Sequence, residues 1–267
     1  MQINFTKLTI LILLPLSVSC QAMELSNVVP PNRSEIFTTT ETVEFSELGT
    51  SAWTSDTFSG SHSRRIEQDV LIFEIQQNDT QGGVDIGLHR TDFAPRLVDD
   101  IPRTTSICSS YDISLTGDGR WWAGPKISVN WQGDESAKQN GDDWYENYIV
   151  EIASSTPDAL HDIFTGDYFK AEVLPGTQIE GAVYKHYKIR FHDWWQFWSV
   201  RQDYRKTGTV PVGEILDIWK AYGLPSNRRF DGVKGNIETY GDMRGTGKMK
   251  IAMTTKPDKQ LDCKIPY

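Results

Sequence analysis

Two short runs carry residue types suited to acid–base chemistry. In "ENYIVEIAS" (146–154) an extended chain alternates faces, so Glu146 shares one with Tyr148, Val150 and Ile152. In "NIETYGD" (236–242) Glu238 and Tyr240 share a face in the same way. A phenol two residues from a carboxylate can hold it ionised and orient it. Two Glu-x-Tyr strands in one sheet could set two carboxyls across a cleft, the minimal machinery for cleaving a glycosidic bond. Spacing alone also fits a plain solvated strand face, where glutamate is common. A third run, "QFWSVRQDYRKTGTVPV" (196–212), gathers Gln196, Trp198 and Arg201 before a break at Gly208. A core strand needs neither the Gln nor the Arg, and a surface strand does not need the Trp. The run reads as a binding wall or as unusual packing.

Strands are the elements that would position these residues. The runs 69–77, 106–115, 125–132, 146–154, 183–191, 196–202, 236–242 and 248–255 alternate or are rich in β-branched and aromatic residues. Gly, Asn and Asp punctuate them. One helix stands out over 211–225. Ile215, Ile218, Trp219 and Tyr222 recur at three- and four-residue spacing, and Gly223 and Pro225 stop it. Many strands with one late helix predict an all-β fold, a β-jelly-roll sandwich of two antiparallel sheets with one packed helix.

The chain of 267 residues fits one domain with an N-terminal extension. Residues 1–22 read as a secretory or lipoprotein signal: Lys7 precedes an apolar run, Leu8 to Leu16, too short to span a bilayer. The run leads to Cys20, which predicts lipidation there, although Ser17 stands where Leu or Val is usual; plain cleavage near Ala22 is the alternative. Residues 23–47 are polar and rich in Pro, Ser and Thr, as in a linker, and 48–267 form the domain. These features predict an exported protein, secreted or lipid-anchored on a bacterial surface. Its remaining cysteines, Cys108 and Cys263, would pair as a disulfide there, with two free thiols as the alternative. A formal charge of -9 argues against nucleic-acid binding. No Cys/His cluster has metal-ligand spacing, and the chemistry outlined needs neither metal nor cofactor.

Three of these stretches, taken in order, resemble family 11 glycoside hydrolases, the small jelly-roll xylanases. "ENYIVEIAS" is similar to that family's nucleophile strand, 196–224 to its strand, linker and helix, and "NIETYGDMRGTGKMKI" to its acid/base strand. The resemblance implies that Glu146 is the nucleophile and Glu238 the acid/base. It also implies that Tyr148 hydrogen-bonds near the nucleophile, that Arg190 and Gln196 line the central subsite, and that Tyr240 is the substrate-binding Tyr following the acid/base. The implied activity is that of a monomeric endo-β-1,4-xylanase acting with retention, its two carboxyls about 5–5.5 Å apart.

Departures from the family pattern are as informative. No Tyr stands where the family carries one before the nucleophile strand, an insertion occupies 132–143, and Asn147 replaces an aromatic. After Arg190, "RFHDWWQFW" passes straight into the next strand, so the long hairpin called the thumb is missing. An open-sided cleft follows, with Trp194 and Trp195 free to stack on sugar rings. Two other readings stay open. One is a glycan-binding jelly roll without catalysis, in which Trp121 and Trp122 join that stacking surface; paired glutamates would be unnecessary in it. The other is a different hydrolase or a lyase, which would need a basic cleft for uronate.

Overall fold

The computed structural model describes residues 48–54, 58–67, 70–90, 96–130, 144–192 and 194–254. The signal segment with Cys20, the linker, the 132–143 insertion and Cys263 lie outside the described residues. The strands are β1 (Leu48–Thr54), β2 (Gly60–Glu67), β3 (Val70–Arg90), β4 (Arg96–Leu97), β5 (Ser106–Gly117), β6 (Arg120–Asn130) and β7 (Trp144–Val150). After β8 (Ile152–Ala153) come helix α1 (Pro157–Thr165), β9 (Glu172–Ile179), β10 (Ala182–Phe191), β11 (Trp194–Arg201), β12 (Thr207–Val210), helix α2 (Val212–Ala221) and β13 (Arg229–Thr254).

Two long strands serve both layers of the jelly roll. The first half of β13 pairs with the second half of β3 and with β6; from Met243 onward it pairs with the first half of β3 and with β5. The register shifts between Thr239 and Met243, and such bulges let a strand turn from one layer into the next. Gly241 takes φ of +81° inside that corner, a conformation open to glycine at little cost. The Thr239 hydroxyl pins the corner. It accepts from Gln77 Nε2 at 2.8 Å and from the Gly82 N–H at 3.0 Å, and it donates to the Gly82 carbonyl at 2.7 Å.

The layer of interest runs β1-β3-β13-β6-β7-β11-β10-β9. One of its faces packs into the main core with Phe73, Tyr111, Ile127, Phe197, Trp219 and Ile251, all at most 1% exposed. The other, here the site face, carries Glu146. The layer is not wholly antiparallel: β11 runs parallel to β7. Between them the chain passes through β8, α1, β9 and β10, and a parallel neighbour needs such a long crossover.

The expectation of one packed helix undercounts. α2 lies inside the range read from the stripe, with Ile215, Leu216 and Trp219 buried and Gly223 at φ +104° just past its end. Tyr222, expected in the stripe, is 36% exposed, and Leu216 takes its place. α1 was not expected. Its start was legible, since Thr156 Oγ1 caps the Ala159 N–H at 3.2 Å and Pro157 opens the first turn. Leu160 and Phe164, each 1% exposed, pack on the site face with Trp122, Tyr148, Tyr187 and Trp198.

A buried polar network ties α2 to the sheet. Trp219 Nε1 donates to Ser199 Oγ at 3.0 Å, so the Ser199 hydroxyl is left to donate to His186 Nδ1 at 2.7 Å. His186 Nε2–H then donates to Thr177 Oγ1, also at 2.7 Å, and the neutral ring is satisfied at both nitrogens. Burial lowers the His186 pKa from 6.5 to about 4. Between those values the unfolded chain binds the proton and the folded one resists it. Stability from this group is therefore complete above pH 6.5 and falls as the pH drops toward 4, by about 3 kcal/mol. Urea melts at pH 7 and pH 4.5 should show the loss, and His186→Gln should flatten it.

Candidate active site

Glu146 stands on β7, level with Ser128 of β6 on one side and Gln196 of β11 on the other. Tyr148 OH donates to its Oε2 at 3.3 Å, and Gln196 Nε2 donates to the same oxygen at 3.4 Å. Lys126 Nζ lies 3.4 Å from Oε1. Trp198 Nε1 donates to Gln196 Oε1 at 3.0 Å, which turns the amide nitrogen toward the carboxylate. The Trp198 ring stacks on Tyr148 with centroids 4.0 Å apart, and Lys126 Nζ sits 5.0 Å from the Tyr148 ring centre.

Electrostatics here favour the charged carboxylate. Two hydrogen-bond donors and an ammonium meet Glu146, and each stabilises the anion over the acid. The Lys126 side chain is 5% exposed and that of Glu146 is 20% exposed, so the carboxylate keeps an open side. An ionised, oriented and partly open carboxylate can attack an electrophilic carbon or stabilise a cationic transition state. The sequence reading brought Glu146, Tyr148 and Gln196 together, and the structure does so. It missed Lys126. The available signal was a lysine on the Glu-facing alternation of "PKISVNWQ", between apolar neighbours.

Glu238 stands at a different level of the sheet. It pairs with Trp122 on β6, whereas Glu146 pairs with Ser128. Those β6 positions are six residues apart, about 20 Å along a strand. That is a separation of backbone levels; the glycosidase spacings of about 5–9.5 Å are between carboxyl groups. A slip by an even number of residues keeps every side chain on its face, so alternation fixes the face of Glu238 but not its level. Gly83 lies directly opposite, and a Cβ there would stand 3.0 Å from Glu238 Cγ. The part of β13 level with Glu146 is the irregularity between Phe230 and Val233.

Arg190 and Trp195 lie on the other face. Gln196 pairs with Ile189, while Arg190 pairs with Trp195, so strand alternation sends both to the opposite face. There the Arg190 guanidinium lies 5.0 Å and Lys188 Nζ 4.8 Å from the Trp195 ring centre, and Trp195 packs against the main core. Trp194 stays on the site face, its ring 5.2 Å from Phe191. Trp121 and Trp122, 8% and 6% exposed, are packed rather than offered for stacking. Tyr240 is 40% exposed, with the Arg120 guanidinium 5.1 Å from its ring centre. The thumb is indeed missing: Phe191 pairs with Trp194, so two residues turn β10 into β11. The open side expected in its absence is partly covered by α1. Among the described residues, no group of three or more His, Cys, Asp or Glu side chains could hold a metal ion.

Solved structures with this fold are xylanases and an endoglucanase. An engineered ENZbleach xylanase superposes with a TM-score of 0.57 at 18% identity, covering 80% of this chain and 82% of its own. The endoglucanase from Rhodothermus marinus gives 0.53 at 13% identity, over 76% and 92%. At such identities the likeness establishes the jelly-roll fold. In sequence, the chain is 27% identical over 144 residues to the ethylene-inducing xylanase 1 of Botryotinia fuckeliana (strain B05.10). That match covers 47% of this chain and spans half the length of the relative. No protein-family model matches the chain.

Proposed function

We propose that this protein hydrolyses a β-1,4-linked polysaccharide, xylan or a close relative, by double displacement with Glu146 as the nucleophile. The observation that carries the reading is the Glu146 carboxylate held by Tyr148, Gln196 and Lys126 with one side open. The xylanase-like fold and the xylanase named among its relatives support the substrate class. In the first step Glu146 attacks the anomeric carbon and the leaving oxygen takes a proton; in the second, water releases the sugar. The proton donor must stand near the level of Glu146.

Release of reducing sugar from xylan, mixed-linkage glucan and cellulose tests the reading, with Glu146→Gln alongside. One observation favours a second reading, glycan binding without hydrolysis: the expected acid, Glu238, lies far along the sheet from Glu146. That reading predicts retardation of the protein in xylan-containing gels with no sugar released.

We also propose export, with a Cys108–Cys263 disulfide. Cys108 is buried on β5, a setting that suits a bridged cysteine and supports the pairing. Peptide mapping of protein from an oxidising compartment should recover the linked pair. Cys263→Ser should cost about 2–4 kcal/mol of stability.

A further inference from the structure

Resting on that function, we propose that Tyr168 and Tyr240 form a sugar-stacking wall of the cleft, built by the segment after α1 in place of the missing hairpin. Tyr168 lies between α1 and β9 and is 64% exposed; Tyr240, at 40%, lies on β13 two residues past Glu238. Burial and the neighbouring Tyr240 phenol raise the Tyr168 pKa, as expected for two phenols side by side.

A line of ring contacts leads to this pair from the β10–β11 turn, the place where the xylanase thumb would be inserted. Trp194 meets Phe191 at 5.2 Å, Phe191 meets Phe169 at 5.8 Å, and Phe169 meets Tyr168 at 4.8 Å. The line therefore crosses from β11 and β10 to β13 over the site face. Phe169 and Phe191 are partly buried against the cluster under α1, so they anchor Tyr168 while its own ring stays in solvent.

Two exposed phenol rings held in place suit one occupant well, a β-linked pyranose chain. A pyranose presents a face of C–H groups to an aromatic ring and a rim of hydroxyls to polar neighbours. Arg120, over the Tyr240 ring, supplies a donor for that rim. The wall lies well along the sheet from Glu146, so it would hold a chain several sugars from the reacting bond. It therefore favours long substrates over short ones.

Calorimetry of the full chain with xylohexaose and soluble xylan, together with kinetics on xylan, tests this. Tyr168→Ala should weaken binding about three- to tenfold and raise KM, with kcat and Tm little changed. Tyr168→Phe keeps the ring, drops the phenol hydroxyl and should bind nearly as wild type. Wild-type affinity in Tyr168→Ala would overturn the wall and leave the proposed function standing. Equal losses in Tyr168→Phe and Tyr168→Ala would also overturn it, since the hydroxyl rather than the ring would then matter. A change of mass in solution on Tyr168→Ala would assign the pair to self-association instead. A wild-type chain that binds no β-glycan would overturn both this wall and the function it rests on.

Discussion

Glu146→Gln should lower reducing-sugar release from xylan by about a thousandfold or more, because the amide cannot form the glycosyl ester. The substitution nearly keeps the shape and one acceptor oxygen, so the bonds from Tyr148 and Gln196 can persist. It removes the negative charge that buried Lys126 faces at 3.4 Å, and stability should fall with it. Glu146 is part-exposed, so the loss should be at the low end for such a pair, about 1–2 kcal/mol. A partner substitution separates the two effects. Glu146→Gln combined with Lys126→Met should regain much of the stability and none of the activity. Recovery of activity in the double variant would place the chemistry elsewhere.

The second large effect tests whether Glu238 is the proton donor. Loss of the proton donor should cut turnover of xylan about a hundredfold or more. Aryl glycosides with a good leaving group need little acid help and should lose far less in their first step. Glu238→Gln should leave the ratio between natural and activated substrates near its wild-type value. Its register puts it some six residues of strand from the reacting centre. The reverse pattern, with Glu238→Gln selectively losing the natural substrate, would restore the assignment implied by the family resemblance and contradict the β6–β13 register.

What was legible in the sequence follows from which constraints are local. Alternation in "ENYIVEIAS" put Glu146 beside Tyr148, and the pairing of β11 with β7 then brought Gln196 to them, as the resemblance implied. The stripe in 211–225 gave α2, and the missing residues after Arg190 gave the two-residue turn. Levels between strands are non-local. Moving β13 past β6 by six residues leaves Ile237 inward and Glu238 on the site face, so no pattern within either strand reports the slip. Arg190 was lost differently, since the resemblance assigned it a place that its alternation against Gln196 contradicts, and the same alternation takes Trp195 away from the open side expected beside the missing hairpin. α1 was hidden because nine residues carry too few turns for a clear stripe, although Thr156 and Pro157 marked its start. Lys126 shows its meaning only when β6 is laid against β7.

The nucleophile assignment is tested most directly by trapping the intermediate. A 2-deoxy-2-fluoro xylobioside with an activated leaving group should inactivate the protein and add one xylobiosyl residue to its intact mass. Proteolysis and fragmentation should place the added sugar on Glu146. Label on Glu238 or any other carboxylate, or xylan hydrolysis that continues unlabelled in its presence, would contradict the account.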